Sequence, residues 1–247
     1  MLGSSVNYLR ERKDGEEARV DFSELFFDLV FVFAITQISH YLLHHLSVDG
    51  LINTVILLFA VWLVWVYTIW ATNWFDPRRW PVRMMLFALM LGGLFLSTSA
   101  PEAFGERAEV FAFAYVAVQV GRSIFMVWAT RHHDRANYLG FLRFCCWFAF
   151  SGIFWIAGCT MEELNWQRGF WVAALAIELV APWFGYWSPG LGTSKTQDWR
   201  IDGHHMAERC GLFVIIALGE SILIAGATFA EMQWSAPVLA AFVAAFV

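Results

Sequence analysis

The sequence predicts an all-α fold, a polytopic transmembrane helical bundle, and three observations lead there. Apolar residues make up 59% of the 247 and charged residues only 15%, where a soluble domain carries about one-quarter charge. Mean hydropathy is +0.56. The apolar residues also fall in continuous runs near the length of about 20 residues that a helix needs to cross a bilayer. A membrane β-barrel would show short alternating runs instead, and a backbone in lipid must satisfy its hydrogen bonds within each segment or closed sheet.

Read on that length scale, spans are expected at 22–45, 51–73, 82–100, 108–130, 139–160, 167–187 and 207–230. An eighth begins near 236 and is expected to be truncated at Val247, so at least seven are complete. The first, FSELFFDLVFVFAITQISHYLL (22–43), is too long for the apolar region of a signal peptide and carries two acids. It also follows a charged leader, so no cleavable signal is expected. Gly92–Gly93 in the third span, Gly185 in the sixth and Gly211 in the seventh suit close helix packing and irregularity. Trp70, Trp74, Trp80, Trp166, Trp187 and Trp234 sit near expected ends, as an aromatic belt does. Cys145, Cys146, Cys159 and Cys210 lie in or beside spans and match no zinc spacing, so they read as small buried apolar residues. The expected organisation is a cytoplasmic charged leader (1–21), a first six-helix unit (22–187), a cytoplasmic loop (188–206) and the start of a second helical unit (207–247).

Basic residues on short connections set orientation, because they are retained in the cytoplasm. Arg10, Arg12, Lys13 and Arg19 precede the first span, and Arg78, Arg79 and Arg83 follow the second. Arg131 and Arg135 follow the fourth, with Arg143 just inside the fifth, and Lys195 and Arg200 follow the sixth. The alternate connections carry only Arg107 and Arg168, beside Glu102, Glu106, Glu162 and Glu163. The N-terminus is therefore expected in the cytoplasm and the protein in a bacterial inner membrane.

Charges inside spans carry the functional expectation. Each costs at least a few kcal/mol at membrane depth unless something answers it. Glu24 and Asp28 are one helical turn apart on one side of the first span. Glu178 and Glu220 fall near the middle of the sixth and seventh. Arg122 shares the depth of Asp28, so an Asp28–Arg122 ion pair is geometrically allowed if their helices touch. Arg209 precedes Glu220 by 11 residues, three turns along one stripe. Asp28, Glu178 and Glu220 are candidate cation or proton sites with Arg122 as countercharge, and Glu24, Glu208 and Arg209 flank them. The structural alternative is that these charges pair off and fix helix register. Gly219, beside Glu220, is expected to let another helix approach.

Seven histidines form three clusters: His40, His44 and His45; His132 and His133; His204 and His205. One shared metal is excluded, because the first cluster lies about 30 Å across the hydrocarbon from the other two. His40 with His44, or His204 and His205 with Glu208, remain weak metal candidates. A retinal photoreceptor needs a lysine within the bundle, and the two lysines, Lys13 and Lys195, lie outside it. No GxxxxGK[ST] phosphate loop is present, which disfavours nucleotide-driven transport.

Aligning Glu24 with Glu208 sets ELFFDLVFVFAITQ against ERCGLFVIIALGES, six spans apart and in the same direction, as parallel internal repeats would be. At ELFFDLVFVFAITQ (24–37) and AERCGLFVIIALGESIL (207–223), and in span layout over most of its length, the chain resembles the bacterial low-temperature-requirement A (LtrA) family of multi-spanning membrane proteins. Members of that family are usually longer, so the resemblance implies that this chain covers about the first two-thirds. It implies a class of protein and brings no reaction with it. The expected function is transport or conduction of a small ion or solute through a polar interior. The alternatives are a membrane-embedded enzyme acting on a lipid or lipid-soluble substrate, with its chemistry near His204 and Glu208, and a non-catalytic stress-adaptation protein. Expected partners are the lipid bilayer and the ion or solute, with a homo-oligomer left open; neither a cofactor nor a nucleic acid is expected.

Overall fold

A computed structural model describes residues 7–10, 20–132, 134–195, 199 and 201–246. Arg12, Lys13, Arg19 and Arg200, counted for orientation, lie outside the described residues, as do His133 and most of the leader. The described chain forms α1 (Phe22–His44), α2 (Val48–Trp74), α3 (Trp80–Ser99), α4 (Ala108–Thr130), α5 (Arg135–Cys159), α6 (Leu164–Val180), α7 (Gly203–Glu231) and α8 (Ala236–Phe246). One 3-10 turn, Ala100–Glu102, follows α3. Six helices, α1 to α5 and α7, are long and apolar enough to cross a membrane. The fold is the helical bundle that composition and run length predict.

Short polar side chains start four of these eight helices by accepting backbone N–H groups that have no partner within the first turn. Asp21 does this for α1 in a capping box with Glu24, and Ser47 for α2. Asp134 caps α5, and Asp202 caps α7 through the N–H groups of His204 and His205. Pro81 stands in the first turn of α3, where its missing N–H is harmless.

The sixth helix ends earlier than its apolar run suggests, at Val180 rather than 187. Pro182 cannot continue the helix, and the chain then turns through Gly185 and Tyr186 with φ of 56° and 52°. A Cβ at Gly185 would sit 2.6 Å from the Ser194 carbonyl oxygen, so the turn requires glycine on two counts. At 17 residues α6 spans about 26 Å.

Helix α2 is the central post. It packs against α1, α4, α6 and α7, while α7, α1, α3, α4, α5 and α6 follow one another around it. Two-thirds of its most apolar stretch (67%) is buried, against 6% for α7. Helices α1 and α7 run side by side in the same direction. Glu24 and Asp28 meet Arg209 near their starts, and Thr36 to Leu43 face Ala217 to Ala225 further along. At the end where α1 begins, here the near end, the leader and the α2–α3, α4–α5 and α6–α7 connections share an aromatic floor. Tyr8 stacks on Trp128 at 5.5 Å, and Trp199 packs between Trp74 and Phe144 at 5.2 and 5.1 Å.

Glycines mark some helix contacts and not others. Gly93 abuts Phe31 and Val30 of α1, but Gly211 and Gly219, expected to serve packing, have open space beside them. A tight constraint joins α5 to α6 at Gly158, where a Cβ would lie 2.5 Å from Trp171 Cδ1. Trp171 has no room to retreat, being fully buried with Nε1 donating to the Trp155 carbonyl at 3.1 Å. Gly158→Ala is therefore expected to destabilise by about 1–3 kcal/mol through overpacking. A thermal melt of the detergent-solubilised protein checks this, and an unchanged midpoint would show that Trp171 yields freely.

Candidate functional site

Two i, i+4 pairs face each other across the start of the α1–α7 seam: Glu24 and Asp28 on α1, His205 and Arg209 on α7. Each pair projects from one helix face, and parallel packing brings acids against bases. All four residues are fully buried. Arg209 uses all five of its guanidinium donors. Nε and Nη2 fork onto the Asp28 carboxylate, at 3.1 Å and 2.5 Å. Nη1 donates to Glu24 Oε1 at 2.9 Å and Thr72 Oγ1 at 3.2 Å, and the second Nη2 proton reaches the Glu24 carbonyl at 3.3 Å. Asp28 Oδ1 also accepts from Trp65 Nε1 at 2.8 Å.

The leader completes this cluster. Arg10 donates to Glu24 Oε2 at 3.0 Å and, through Nε, to the Thr72 carbonyl at 2.7 Å. Asn73 exchanges two hydrogen bonds with the backbone of Asp202, at 2.9 and 3.0 Å, which fixes its amide orientation. Its remaining N–H points at His205 Nδ1, 3.3 Å away. On the other side of the ring, Nε2 lies 3.2 Å from both Glu24 Oε1 and Arg10 Nη2. Among the described residues, two carboxylates thus face two guanidinium groups.

A second cluster lies on the other side of α2. Glu178 accepts three hydrogen bonds, from Tyr115 at 2.7 Å, Gln119 at 2.8 Å and Ser151 at 2.7 Å. Gln119 turns its amide oxygen to Arg122 Nη2 at 2.5 Å, so it relays between the buried acid and the buried base. Arg122 also donates to Thr68 Oγ1 at 3.1 Å and lies over the rings of Tyr67 and Phe148, at 5.6 and 5.4 Å. Thr68 and Thr72, one turn apart on α2, thus touch the arginines of the two clusters. A third pair, Arg168 with Asp49 at 2.7 Å, closes the far end, where Asn53 links Arg168 to Tyr41.

The residue pattern and helix layout match a known family: residues 19–247 fit the one described as bacterial low temperature requirement A protein. The chain belongs to the LtrA family. It is 40% identical over 234 residues to an uncharacterised protein of Rhizobium meliloti (strain 1021). That match covers 94% of this chain and 57% of the relative, so the chain spans little more than half of the relative's length. No solved structure matches it. Membership in this family makes it an integral membrane protein.

Within this LtrA bundle the singled-out residues part company. Glu24, Asp28, Arg209 and His205 come together, and Arg122 and Glu178 join through Gln119. The partner of Asp28 is Arg209 rather than Arg122, because α1 packs on α2, α3 and α7 while α4 packs on α2, α3 and α5. Glu220 stands apart. It is partly buried in a cleft of about 330 Å3 between α1 and α7, lined also by Thr36, Ser39, His40 and Ser221. Among the described residues no group hydrogen-bonds to its carboxylate.

Glu208 and His204 are exposed, one turn apart on a face of α7 turned away from the cluster that His205 and Arg209 enter. His44 is also exposed, and among the described residues no three of His, Cys, Asp or Glu converge as a metal site would need. Arg10, Trp65, Asn73, Tyr115, Gln119 and Ser151 belong to the clusters without having been expected there. Polar residues within apolar runs were the available signal for Gln119, Asn73 and Ser151.

The charge balance predicts a compensation. Arg209→Leu leaves two buried carboxylates with one guanidinium, a loss of about 3–5 kcal/mol by analogy with other broken buried pairs. Asp28→Leu combined with Arg209→Leu restores neutrality through Arg10 and Glu24. The double variant is expected to melt higher than the Arg209→Leu single variant, and equal or lower melting would show that the pairing carries no net compensation.

Proposed function

We propose that this LtrA protein moves a small cation, the proton included, along the seam between α1 and α7. The observation that supports this most is Glu220, a carboxylate inside an apolar helix and in a cleft, with no hydrogen-bond partner among the described residues. The other acids buried within the spans, Glu24, Asp28 and Glu178, have their charges answered by protein groups. An ionisable group left unanswered at membrane depth is retained where a mobile charge serves as its partner.

In this reading the seam has a closed half and an open half. At the near end the Glu24, Asp28, Arg209 cluster fills the space between the helices. Further along, Thr36, Ser39, His40, Glu220 and Ser221 line the cleft. The near end faces the cytoplasm and the protein sits in the bacterial inner membrane, with the basic α2–α3, α4–α5 and α6–α7 connections on the cytoplasmic side. Helices α1 to α6 form one unit, and α7 opens a second that repeats it in parallel. The shared direction of α1 and α7, and the small buried fraction of α7, fit that arrangement.

A second reading has its own support. The charged groups of the three interior clusters are all partnered, as expected of a membrane scaffold without turnover. The two readings separate on Glu220. Ion flux in proteoliposomes, measured for protons, potassium, sodium and chloride, is expected to exceed that of empty liposomes for a cation. It is expected to fall in Glu220→Gln while the melting midpoint stays unchanged, since Glu220 holds no partner among the described residues. No cation flux from either this chain or a longer member of the family would discard the transport reading in favour of the scaffold.

A further inference from the structure

The α1–α7 cleft offers its occupant hydrogen-bond acceptors and a negative charge. Three hydroxyls line it, and each has its proton committed to the backbone one turn earlier on its own helix. Thr36 donates to the Val32 carbonyl at 3.2 Å, Ser39 to Ile35 at 3.0 Å and Ser221 to Ala217 at 3.0 Å. A hydroxyl bonded in this way presents only lone pairs to its other side. Glu220 adds a carboxylate, which accepts and does not donate. His40 is the one lining side chain able to donate, and it stands at the outer part of α1. Such a lining repels anions and favours a cation rich in N–H donors.

The rest of the lining sets the shape of that cation. Val32, Ile35, Leu43, Ala217 and Ile224 present hydrocarbon. At about 330 Å3 the cleft is far larger than a bare metal ion needs and falls within the range of organic-ligand sites. Apolar walls have nothing to offer the hydration shell of sodium or potassium, whereas they suit an alkyl chain. We propose that the cleft binds a protonated aliphatic amine, its ammonium group on Glu220 and the lone pairs of Thr36, Ser39 and Ser221, its alkyl body against the aliphatic walls. This names the cation class of the transport reading and rests on it for physiological meaning, but the binding itself does not require turnover.

The test is equilibrium binding of radiolabelled n-butylamine to the protein in nanodiscs at neutral pH, with empty nanodiscs as blank. Unlabelled n-butanol, butyrate, sodium chloride and potassium chloride serve as competitors. The expected result is saturable binding that excess butylamine displaces and butyrate and butanol do not. Glu220→Gln is expected to weaken it by about tenfold or more, the range for losing a hydrogen bond to a charged group. Thr36→Val and Ser221→Ala, which keep side-chain size and remove acceptors, are expected to weaken it less. Binding that is absent, that butyrate displaces equally, or that survives unchanged in Glu220→Gln overturns the proposal. Flux of butylamine and of the inorganic cations is measured separately in proteoliposomes. Butylamine binding without cation flux keeps the site and removes transport, while inorganic cation flux without butylamine binding keeps transport and removes the amine.

Discussion

Everything around the α1–α7 seam depends on charge neutrality at membrane depth. Glu24 and Asp28 are tolerable inside the bundle only because Arg209 and Arg10 stand within hydrogen-bond reach. Since apolar helices have no hydrophobic reason to leave lipid for one another, their association rests on packing and polar contacts. For α7 the polar contacts matter most, because so little of it is buried. Arg209 enters between α1 and α2 and spends every donor there. The cluster is thus both the electrostatic answer to α1 and the clamp that holds α7 against the six preceding helices.

Helix α2 turns separate charge pairs into one framework. Trp65, Thr68 and Thr72 lie on it at helical spacing, and they reach Asp28, Arg122 and Arg209 in turn. At its far end Asn53 holds Arg168, and at its near end Asn73 holds the cap of α7. Its polar side chains therefore contact all three ionic clusters while its apolar ones fill the centre of the ring. A substitution on α2 is felt by helices that never touch each other.

Much of this fold was legible in the sequence, because run length against bilayer thickness is a strong constraint. Six of the expected spans correspond closely to helices. The seventh case, α6, was overextended at its end because Trp183 and Phe184 keep the hydropathy high past Pro182. The identity of buried acids was legible too, since a carboxylate within an apolar run is rare. Pairing was not. A lipid-facing side and a protein-facing side are both apolar, so periodicity does not reveal which helices are neighbours, and depth alone left Arg122 as a partner for Asp28. Arg10 and Arg168 were hidden for another reason. Both sit beside span ends, where a basic residue reads as an orientation signal, and only the tertiary fold folds them inward onto Glu24 and Asp49.

The two halves of the seam invite comparison, because the same pair of helices treats its acids in opposite ways. At the near end two carboxylates receive two guanidinium groups, an indole N–H and a backbone amide, with the His205 ring beside them. At Glu220, the facing α1 residues are Thr36, Ser39 and His40, and the two hydroxyls have already given their protons to α1 itself. Evenly balanced helix packing would have matched Glu220 as it matched Asp28, for an arginine three turns earlier on the same helix shows that the seam accommodates one. A carboxylate at membrane depth with hydroxyl lone pairs beside it calls for a cation to answer its charge. On the proposed transport reading, the unmatched carboxylate is therefore the place along this seam where a cation is taken up and released.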